Sequence, residues 1–342
     1  MIWRETLTEA PLRIPAETLL GVMRDRFCAT GLAEEMAEAT AAILLEADLL
    51  GHRTHGVAML PVYLDCIAEG AMASVGAPEV LSQYGASALW HGHQLSGAWL
   101  TLQAIEAAEK MARAHGTGTV VIRRSFHIGA LAAYLEAVAQ KGLVLILQCS
   151  APHAATVAPH GGKTPVLSPS PLAIGYPAGD SVVMIDVSTS ITSNSLVRQV
   201  AREGGRLPHP WVIGDDGIPT DDPRQSEVIL PLGGVEAGHK GFAMALMVEA
   251  LTAGLAATGR DDQSPKMGGT VFIQVIDPQA FGGTEPMTEV MGNLGHRCRS
   301  AIPISIDNPV RLPGDSALRR KADQMENGVI VAAELWERIG NS

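Results

Sequence analysis

Apolar residues in the first part of the chain recur at the three- and four-residue spacing of helices that bury one face. One stretch begins near Pro15, a favoured first helical residue, and stops at Gly31, and the next stretch ends at Gly51. The same spacing returns over residues 57–72 and 95–116. The pattern therefore predicts four helices in the first third of the chain.

Beyond residue 116 the pattern changes to short runs rich in Val, Ile and Leu, which are typical of strands. Residues 117–125, 129–142 and 143–150 predict a strand, a helix and a buried strand, a β-α-β order with short connections. Later segments predict strands at 172–177, 182–188 and 271–276, an ordered loop at 204–223, a helix at 240–258, and a helix, short strand and closing helix over 315–340.

Length and composition indicate a chain with a large core. It has 342 residues, of which 46% are hydrophobic and 18% charged, which is enough for two lobes. We predict an α/β fold in which residues 1–115 and 300–342 form a helical lobe, with the closing helix packed back on the N-terminal helices. Residues 116–299 form a central α/β domain in this prediction.

Charge and cysteine usage exclude several classes of partner. The formal charge of −11 repels phosphate backbones and anionic lipid surfaces, so neither nucleic acid nor membrane is expected as a partner. The start of the chain lacks a basic cluster followed by an apolar run, and no apolar run reaches membrane-spanning length. The cysteines are far apart and form no CxxC pair, so we expect a cytoplasmic protein without a zinc site or disulfide framework.

Two histidines stand where helices are expected to begin. His55 lies in a polar break between two apolar runs, together with His52. An imidazole titrates near neutral pH and suits proton transfer, although a capping or solvent-facing role is equally open for His55. His127 follows the predicted strand 117–125 with Ser125 and Gly129, where ligands bind in α/β sheets; Ser125 could instead cap the next helix.

Two further places carry polar groups at element ends. Asp186 ends a buried strand and is followed by the hydroxyls of residues 188–190, a set suited to ribose, phosphate or amide contacts, or to a turn. Lys240 stands between glycines before the predicted helix 240–258, where an ammonium and free N–H groups would attract an anion. The alternative is a loop lysine. The chain has no GxGxxG and no P-loop motif.

Together these segments resemble a known family in sequence order. The stretches GHRTHGVAMLPVYL, SFHIGALAAY, VAPHGG, IDVSTS, DDGIPTDDP, PLGG, GHKGFAMALMVEAL and VRLPGD are similar to the malate/L-lactate dehydrogenase family of the second type, over nearly the whole chain. The resemblance implies a non-Rossmann cofactor domain with a mixed sheet. It also implies NAD or NADP as cofactor, with NAD the first choice, and a homodimer.

The resemblance also implies roles for individual residues. His55, in the Ser-His-Gly motif that reads Thr54-His55-Gly56 here, and His127 are the two candidates for proton transfer. Thr54, Met59 and Tyr63 match substrate-facing positions. The cofactor candidates lie at predicted strand ends and on two later segments. They are Ser125, Ser150, Val182, Val183, Met184, Ile185, Asp186, Val187, Ser188, Thr189, Ser190, His239, Lys240, Val310, Arg311, Leu312, Pro313, Gly314, Asp315 and Ser316.

Two departures from the family bear on the substrate. The usual Gly-Thr-Asn-Pro reads Ser168, Pro169, Ser170 and Pro171 here, and Met59 replaces the usual arginine. We predict reversible hydride transfer between NAD(P) and a small 2-hydroxy or 2-oxo acid, and Met59 favours an acid that is bulkier or less polar than malate. A cyclic-imine reductase is the alternative.

Two other classes of protein stay open at this point. A non-catalytic metabolite-binding relative has no need of two proton-transfer candidates beside Asp186 and Lys240. A metal-dependent hydrolase or lyase would need a metal site, and the acidic loop 214–222 does not have the spacing of a calcium loop. We therefore expect no metal.

Overall fold

The computed structural model describes residues 11–260, 262 and 266–340. Its first third contains the four predicted helices, α1 (Ala16–Ala29), α2 (Glu34–Leu50), α3 (Leu60–Ala68) and α4 (Gly97–His115). Helix α2 ends at Gly51, whose left-handed conformation (φ 94°) lets the chain turn away from the helix axis. Short 3₁₀ turns at Arg53–His55 and Val57–Met59 then lead into α3.

Seven strands form the central sheet. Their order is β2 (Glu79–Tyr84), β3 (Ser87–His91), β4 (Thr117–Ser125), β10 (Gly269–Ile276), β5 (Val144–Ser150), β6 (Leu172–Ala178) and β7 (Ser181–Val187). Five of these were predicted from the sequence. Strands β2 and β3 were not predicted. Strand β2 is exposed at nearly every position and lacks the alternation that identifies a strand, and β3 has only five residues.

The sheet is mixed, as the resemblance implied. Strand β3 runs parallel to β4, whereas β10 is antiparallel to both β4 and β5, and β6 is antiparallel to both β5 and β7. Strands β3, β4, β5 and β7 therefore all point the same way. The predicted β-α-β unit is present, but β10 lies between its two strands, so they do not pair with each other.

The helix predicted over residues 129–142 is shorter in the structure. Segment 129–142 forms a 3₁₀ turn, Leu131–Tyr134, and a short helix α5 (Leu135–Ala139), because Gly129 is left-handed and Ala130 extended. Helix α6 (Asn194–Arg202) was not predicted. The predicted loop 204–223 contains a small ribbon of β8 (Val212–Ile213) and β9 (Pro219–Thr220).

Helix α7 (Gly234–Glu249), which continues as a π-helical turn over Ala250–Gly254, begins six residues before Lys240. The expectation that Lys240 stands before a helix entrance is therefore wrong, since its N–H group lies inside the helix. Gly241 does not break the helix; it permits close packing, because a Cβ there would lie 2.4 Å from the backbone nitrogen of Leu232. In the sequence Gly241 looks like a helix boundary, although it lies inside α7 and packs against Leu232.

The C-terminal segment packs on the N-terminal helices as expected. After α8 (Thr284–Arg299), helix α9 (Asp315–Asn327) packs on α2, and strand β11 (Val329–Val331) pairs with β1 (Leu12–Ile14) before the closing helix α10 (Ala333–Gly340). One hydrophobic cluster joins these helices to one face of the sheet. The domain division 1–115 with 300–342 against 116–299 stays a prediction. Within the described ranges, no helix combines the length and apolar character needed to cross a bilayer.

Candidate active site

The carboxyl ends of three parallel strands bring the sequence-predicted site residues to one edge of the sheet. His127 follows β4, Ser150 ends β5, and Asp186 lies at the end of β7. Asp186 pairs in register with Ala173, and Ala173 pairs with Leu147, so their side chains lie on the sheet face that packs against the helices. This edge is where α/β proteins bind their ligands.

His127 and His55 face each other at this edge. Their ring centroids are 5.8 Å apart with an angle of 22° between the planes. The hydroxyl of Tyr63, a fully buried residue, lies 2.6 Å from Nδ1 of His127, and the Gly129 N–H donates to the same nitrogen at 3.3 Å. A nitrogen that accepts from an N–H carries no proton, so the neutral ring of His127 has its proton on Nε2.

The burial of this pair keeps both imidazoles neutral. Loss of solvent lowers the pKa of His127 to about 3, and the nearby His55 and His153 add to the shift. The pKa of His55 falls to about 4, again mainly through burial, with a smaller contribution from His52. Burial also raises the pKa of the Tyr63 phenol, which therefore stays protonated and able to donate. The site thus offers two uncharged imidazoles at neutral pH.

The loop that carries His55 is closed by a residue that the sequence analysis missed. Asp48, a buried residue of α2, accepts a 2.6 Å hydrogen bond from the Val57 N–H. A Cβ on Gly56 would lie 2.2 Å from the Asp48 carboxylate, so this glycine allows the close approach. Burial raises the pKa of Asp48 to about 7. An acid on the apolar face of a helix just before the His55 loop was the available signal.

The structure also shows how the residues next to His55 are arranged. The Thr54 hydroxyl lies 3.0 Å from Nδ1 of His55, and Thr54 is exposed. Met59 is partly buried against the core and lies one turn before Tyr63, so the two side chains lie on the same side of α3. Met59 is thereby directed towards the side on which Tyr63 meets His127.

Asp186 takes one of the two roles that the sequence left open, that of a cap, and its contact to a ligand stays a prediction. Its Oδ2 accepts a 2.9 Å hydrogen bond from the Ala132 N–H, so it caps the 3₁₀ turn that precedes α5. Burial raises the pKa of Asp186, and the neighbouring His52 and the hydrogen bond from the Ala132 N–H oppose that shift. Ser125 does not cap a helix, because its buried hydroxyl donates to the Phe126 carbonyl.

Residues 168–171, which depart from the family motif, form hydrogen bonds with residues elsewhere in the protein. The Pro169 carbonyl accepts hydrogen bonds from the hydroxyls of Ser188 and Thr189 and from the Thr189 N–H. Ser170 is fully buried in the left-handed region (φ 38°), and its hydroxyl lies 3.2 Å from Oε1 of Glu249. The hydroxyls that follow Asp186 are therefore used within the protein. Ser190 is likewise bonded to Ser188 at 2.6 Å.

Two buried polar atoms beside Ser150 lack a hydrogen-bond partner among the described residues. The Ser150 hydroxyl accepts from Thr252, but Gln148 Oε1 and Thr270 Oγ1 are buried and lack a hydrogen-bond partner in the described part of the chain. Thr270 pairs in register with Ser150, and Gln148 lies two residues before it, so all three share a face. Buried acceptors of this kind fit ribose hydroxyls or a carboxamide N–H.

Further cofactor candidates lie on helix α7 and on the stretch 310–316. His239 and Lys240 are exposed on α7, and the ring of His239 lies 5.7 Å from that of His160. The stretch 310–316 runs along the outer strand β7, where the Pro313 carbonyl accepts from the Met184 N–H at 3.2 Å. Asp315 is ion-paired with Arg299. Among the residues that the structure describes, no three His, Cys, Asp or Glu side chains are placed to share a metal ion.

Comparison with known proteins gives matches over nearly the full chain. The family model described as malate/L-lactate dehydrogenase matches residues 14–340. The L-sulfolactate dehydrogenase of Methanothermobacter thermautotrophicus is 27% identical over 337 residues, covering 96% of this chain and 95% of that protein. The delta(1)-pyrroline-2-carboxylate/delta(1)-piperideine-2-carboxylate reductase of Pseudomonas syringae pv. tomato is 30% identical over 343 residues, covering 94% and 93%.

The fold is similar to that of solved structures. The crystal structure of malate dehydrogenase from Entamoeba histolytica superposes with a TM-score of 0.90 at 22% identity and covers 97% of both chains. This likeness confirms the architecture.

The depressed pKa of His127 makes folding stability depend on pH. The unfolded histidine binds a proton below its ordinary pKa of about 6.5, whereas the folded one stays neutral to about 3. Acid therefore favours unfolding, and this contribution is complete above pH 6.5 and lost as the pH falls towards 3. We expect His127→Gln to reduce the loss of unfolding free energy between pH 6.5 and 5 by about 1–2 kcal/mol, measured by urea denaturation.

The exposed His115→Gln is the matched control and should leave that pH dependence unchanged. Equal slopes in wild type and His127→Gln would show that His127 is not held neutral by burial.

Proposed function

Because the chain belongs to the malate/L-lactate dehydrogenase family, we propose that it is an NAD(P)-dependent oxidoreductase that transfers a hydride to or from a small 2-hydroxy or 2-oxo acid. The observation that carries this proposal is the pair of neutral imidazoles, His127 and His55, held 5.8 Å apart at the carboxyl edge of the sheet. A hydride-transfer enzyme needs one proton donor or acceptor next to the reacting oxygen, and this pair supplies it.

The tautomer of His127 suggests how the substrate is activated. Tyr63 and Gly129 occupy Nδ1, so Nε2–H is the donor available to a carbonyl oxygen. A neutral donor in a site with little water polarises a carbonyl effectively, because few competing dipoles screen it. His55, whose ring faces that of His127, is the second group able to move a proton there. A bound nicotinamide supplies or accepts the hydride.

Residues on this chain that would hold the cofactor lie around the ends of β5 and β7. Gln148, Ser150 and Thr270 offer polar groups at the end of β5. Lys240 is exposed on α7 and makes no ion pair within the described ranges, which leaves its charge for a pyrophosphate. We propose NAD before NADP, as the resemblance implies.

A second candidate activity is reduction of a cyclic imine acid. It is favoured by Met59, which replaces the usual family arginine with an adaptable apolar side chain, and by the similarity to the Pseudomonas syringae reductase. The same donor, Nε2–H of His127, would face the imine nitrogen. A non-catalytic relative is the outcome if the protein binds a cofactor but turns over no acid.

We further propose a cytoplasmic homodimer. Ile302, Ile304 and Ile306 lie in a segment of bends and turns between α8 and α9 and are almost fully exposed, at 95%, 109% and 88%. Three isoleucines in water favour burial against a partner, since each contributes roughly 1.5–3 kcal/mol when covered. A light-scattering mass equal to one chain would contradict this assignment.

Cofactor binding is the first test of the function. Titration with NADH and NADPH, followed by nicotinamide fluorescence, should show saturable binding of at least one of them. We expect Lys240→Ala to weaken that binding by about tenfold, since a hydrogen bond to a charged group contributes on the order of 1.5 kcal/mol, and the effect should shrink as salt rises.

Lys110→Ala is the matched control, because Lys110 is an exposed lysine on α4 paired with Glu106. Binding of neither nucleotide would remove the proposed function, whereas unchanged affinity in Lys240→Ala would remove only the role of Lys240.

The role of His127 is tested by turnover. We expect His127→Ala to lower kcat by about 10²–10⁴-fold with little change in cofactor affinity, because a hydrogen-bond donor to the reacting oxygen acts mainly in the transition state. Tyr63→Phe keeps the ring and removes only the hydroxyl on Nδ1, so a smaller fall in kcat is expected. Near-full turnover in His127→Ala would transfer the role to His55 or to water.

Substrate choice is tested at Met59. An arginine grips a carboxylate through two parallel charge-assisted bonds, which a thioether does not form. We expect the wild type to be poor with malate and lactate and to prefer an acid with an apolar or bulky substituent. Met59→Arg should gain activity on dicarboxylates and lose activity on bulkier substrates, in a substrate panel assayed with both nucleotides.

Val62→Arg adds the same charge at an exposed position of α3 and serves as control. Efficient malate oxidation by the wild type would contradict this assignment.

A further inference from the structure

The end of helix α2 is completed by side chains from the other end of the chain. A helix leaves its last carbonyls without partners inside the helix, and they need donors from elsewhere when they are buried. Gln324 of α9 donates from Nε2 to the carbonyls of Asp48 and Leu49 at 2.8 and 3.0 Å. Arg320 donates from Nη1 to the carbonyl of Leu50 at 2.7 Å. Three consecutive carbonyls are therefore held by one helix that lies about 270 residues further along the chain.

These carbonyls immediately precede the loop that carries His55. The His52 N–H donates back to the Ala47 carbonyl at 2.7 Å, and the Asp48 carboxylate accepts from Val57 at the far side of the loop. The loop is thus anchored at both ends to the last turn of α2. Any rotation of that turn moves the ring of His55 relative to that of His127.

Gln324 is itself fixed on its other side. It is buried, with 3% of its surface exposed, and its Oε1 accepts from the Ile330 N–H of β11 at 2.9 Å. All polar atoms of the side chain are bonded, so its amide has one orientation. The space next to Gly51 is filled by Arg320, since a Cβ there would lie 1.9 Å from Nη1. The fit between α9 and the end of α2 is therefore close.

We propose that Gln324, assisted by Arg320, is a positioning residue that sets the placement of His55 for proton transfer. It touches neither substrate nor cofactor in this assignment; it acts through the carbonyls of α2. The proposal rests on the proposed function for its kinetic consequence only. Misplacement of a reacting group by about 1 Å costs on the order of 10²-fold in rate, so a smaller tilt has a measurable effect.

The test is a pair of variants on the same helix. Gln324→Glu keeps the shape and the acceptor for Ile330 but replaces both donors with oxygen. Lys321→Gln removes the bridge from Lys321 to Glu46 and Glu136, which also ties α9 to α2, without touching the three carbonyls. Both variants weaken the docking of α9, and only Gln324→Glu alters the end of α2.

Two readouts are expected to separate positioning from general stability. At a temperature where circular dichroism shows both variants folded, Gln324→Glu should lower kcat by about tenfold with cofactor affinity unchanged, and Lys321→Gln should keep the kcat of the wild type. In the ¹³C-labelled histidine spectrum, with His55 assigned by His55→Asn, Gln324→Glu should shift the His55 resonance and Lys321→Gln should not.

The spectrum needs no substrate, so it tests the positioning even if the proposed function fails. If Gln324→Glu does not fold, Arg320→Gln removes only the contact to Leu50 from an exposed side chain, and a smaller His55 shift with a roughly twofold to fivefold fall in kcat is expected. An unshifted His55 resonance in the folded variant overturns the proposal, and so does an equal kcat loss in Lys321→Gln.

Discussion

The direction of the strands is the constraint on which the candidate site depends. Strands β10 and β6 are antiparallel to their neighbours, so the strands on either side of each run in the same sense. That arrangement delivers His127, Ser150 and Asp186 to one edge, although they lie far apart in sequence. A parallel β4–β5 pair without β10 would bring the same residues closer together but leave β10 without its two partners.

Exclusion of water then decides the chemistry of that edge. Burial lowers the pKa of both imidazoles and raises that of Asp48 to about 7, so the groups nearest the site resist charge. A neutral imidazole with its proton on Nε2 donates a hydrogen bond without bringing a cation. The result is a partly buried surface in which an oriented hydrogen-bond donor is screened less than in water. Met59, one turn before Tyr63, adds an apolar side chain that is partly buried against the core.

The N-terminal and C-terminal segments of the described chain pack on each other. The N-terminal strand β1 pairs with β11, and α9 fills the end of α2 with donors. Lys321 joins Glu46 of α2 to Glu136 of α5 through two 2.7 Å contacts, and the 3₁₀ turn before α5 is capped by Asp186. Helices α2 and α5 are thus both joined to one C-terminal helix. Ordering of the site and folding of the chain termini are physically linked.

Local pattern determined much of the fold. The apolar spacing identified α1 to α4, five strands of the sheet and the helices α9 and α10, because these elements bury one face or both against the core. Helix α8 was not predicted. The strand-end positions of His127 and Asp186, and the break that holds His55, were also visible in the sequence. The motif order pointed to the family, which the match over residues 14–340 confirmed.

Only the tertiary structure decided how these pieces meet. The exposed strand β2 and the glycines inside α7 gave misleading local signals, because packing across the chain, and not their own propensity, fixes them. The roles of Asp48 and Gln324 depend on partners 9 and 276 residues away, which a local pattern does not specify. The Gly129 N–H leaves Nδ1 of His127 without a proton, and the Tyr63 hydroxyl, 64 residues earlier in the chain, then donates to the same nitrogen. Both side chains acquire their protonation states from burial that exists only in the folded chain.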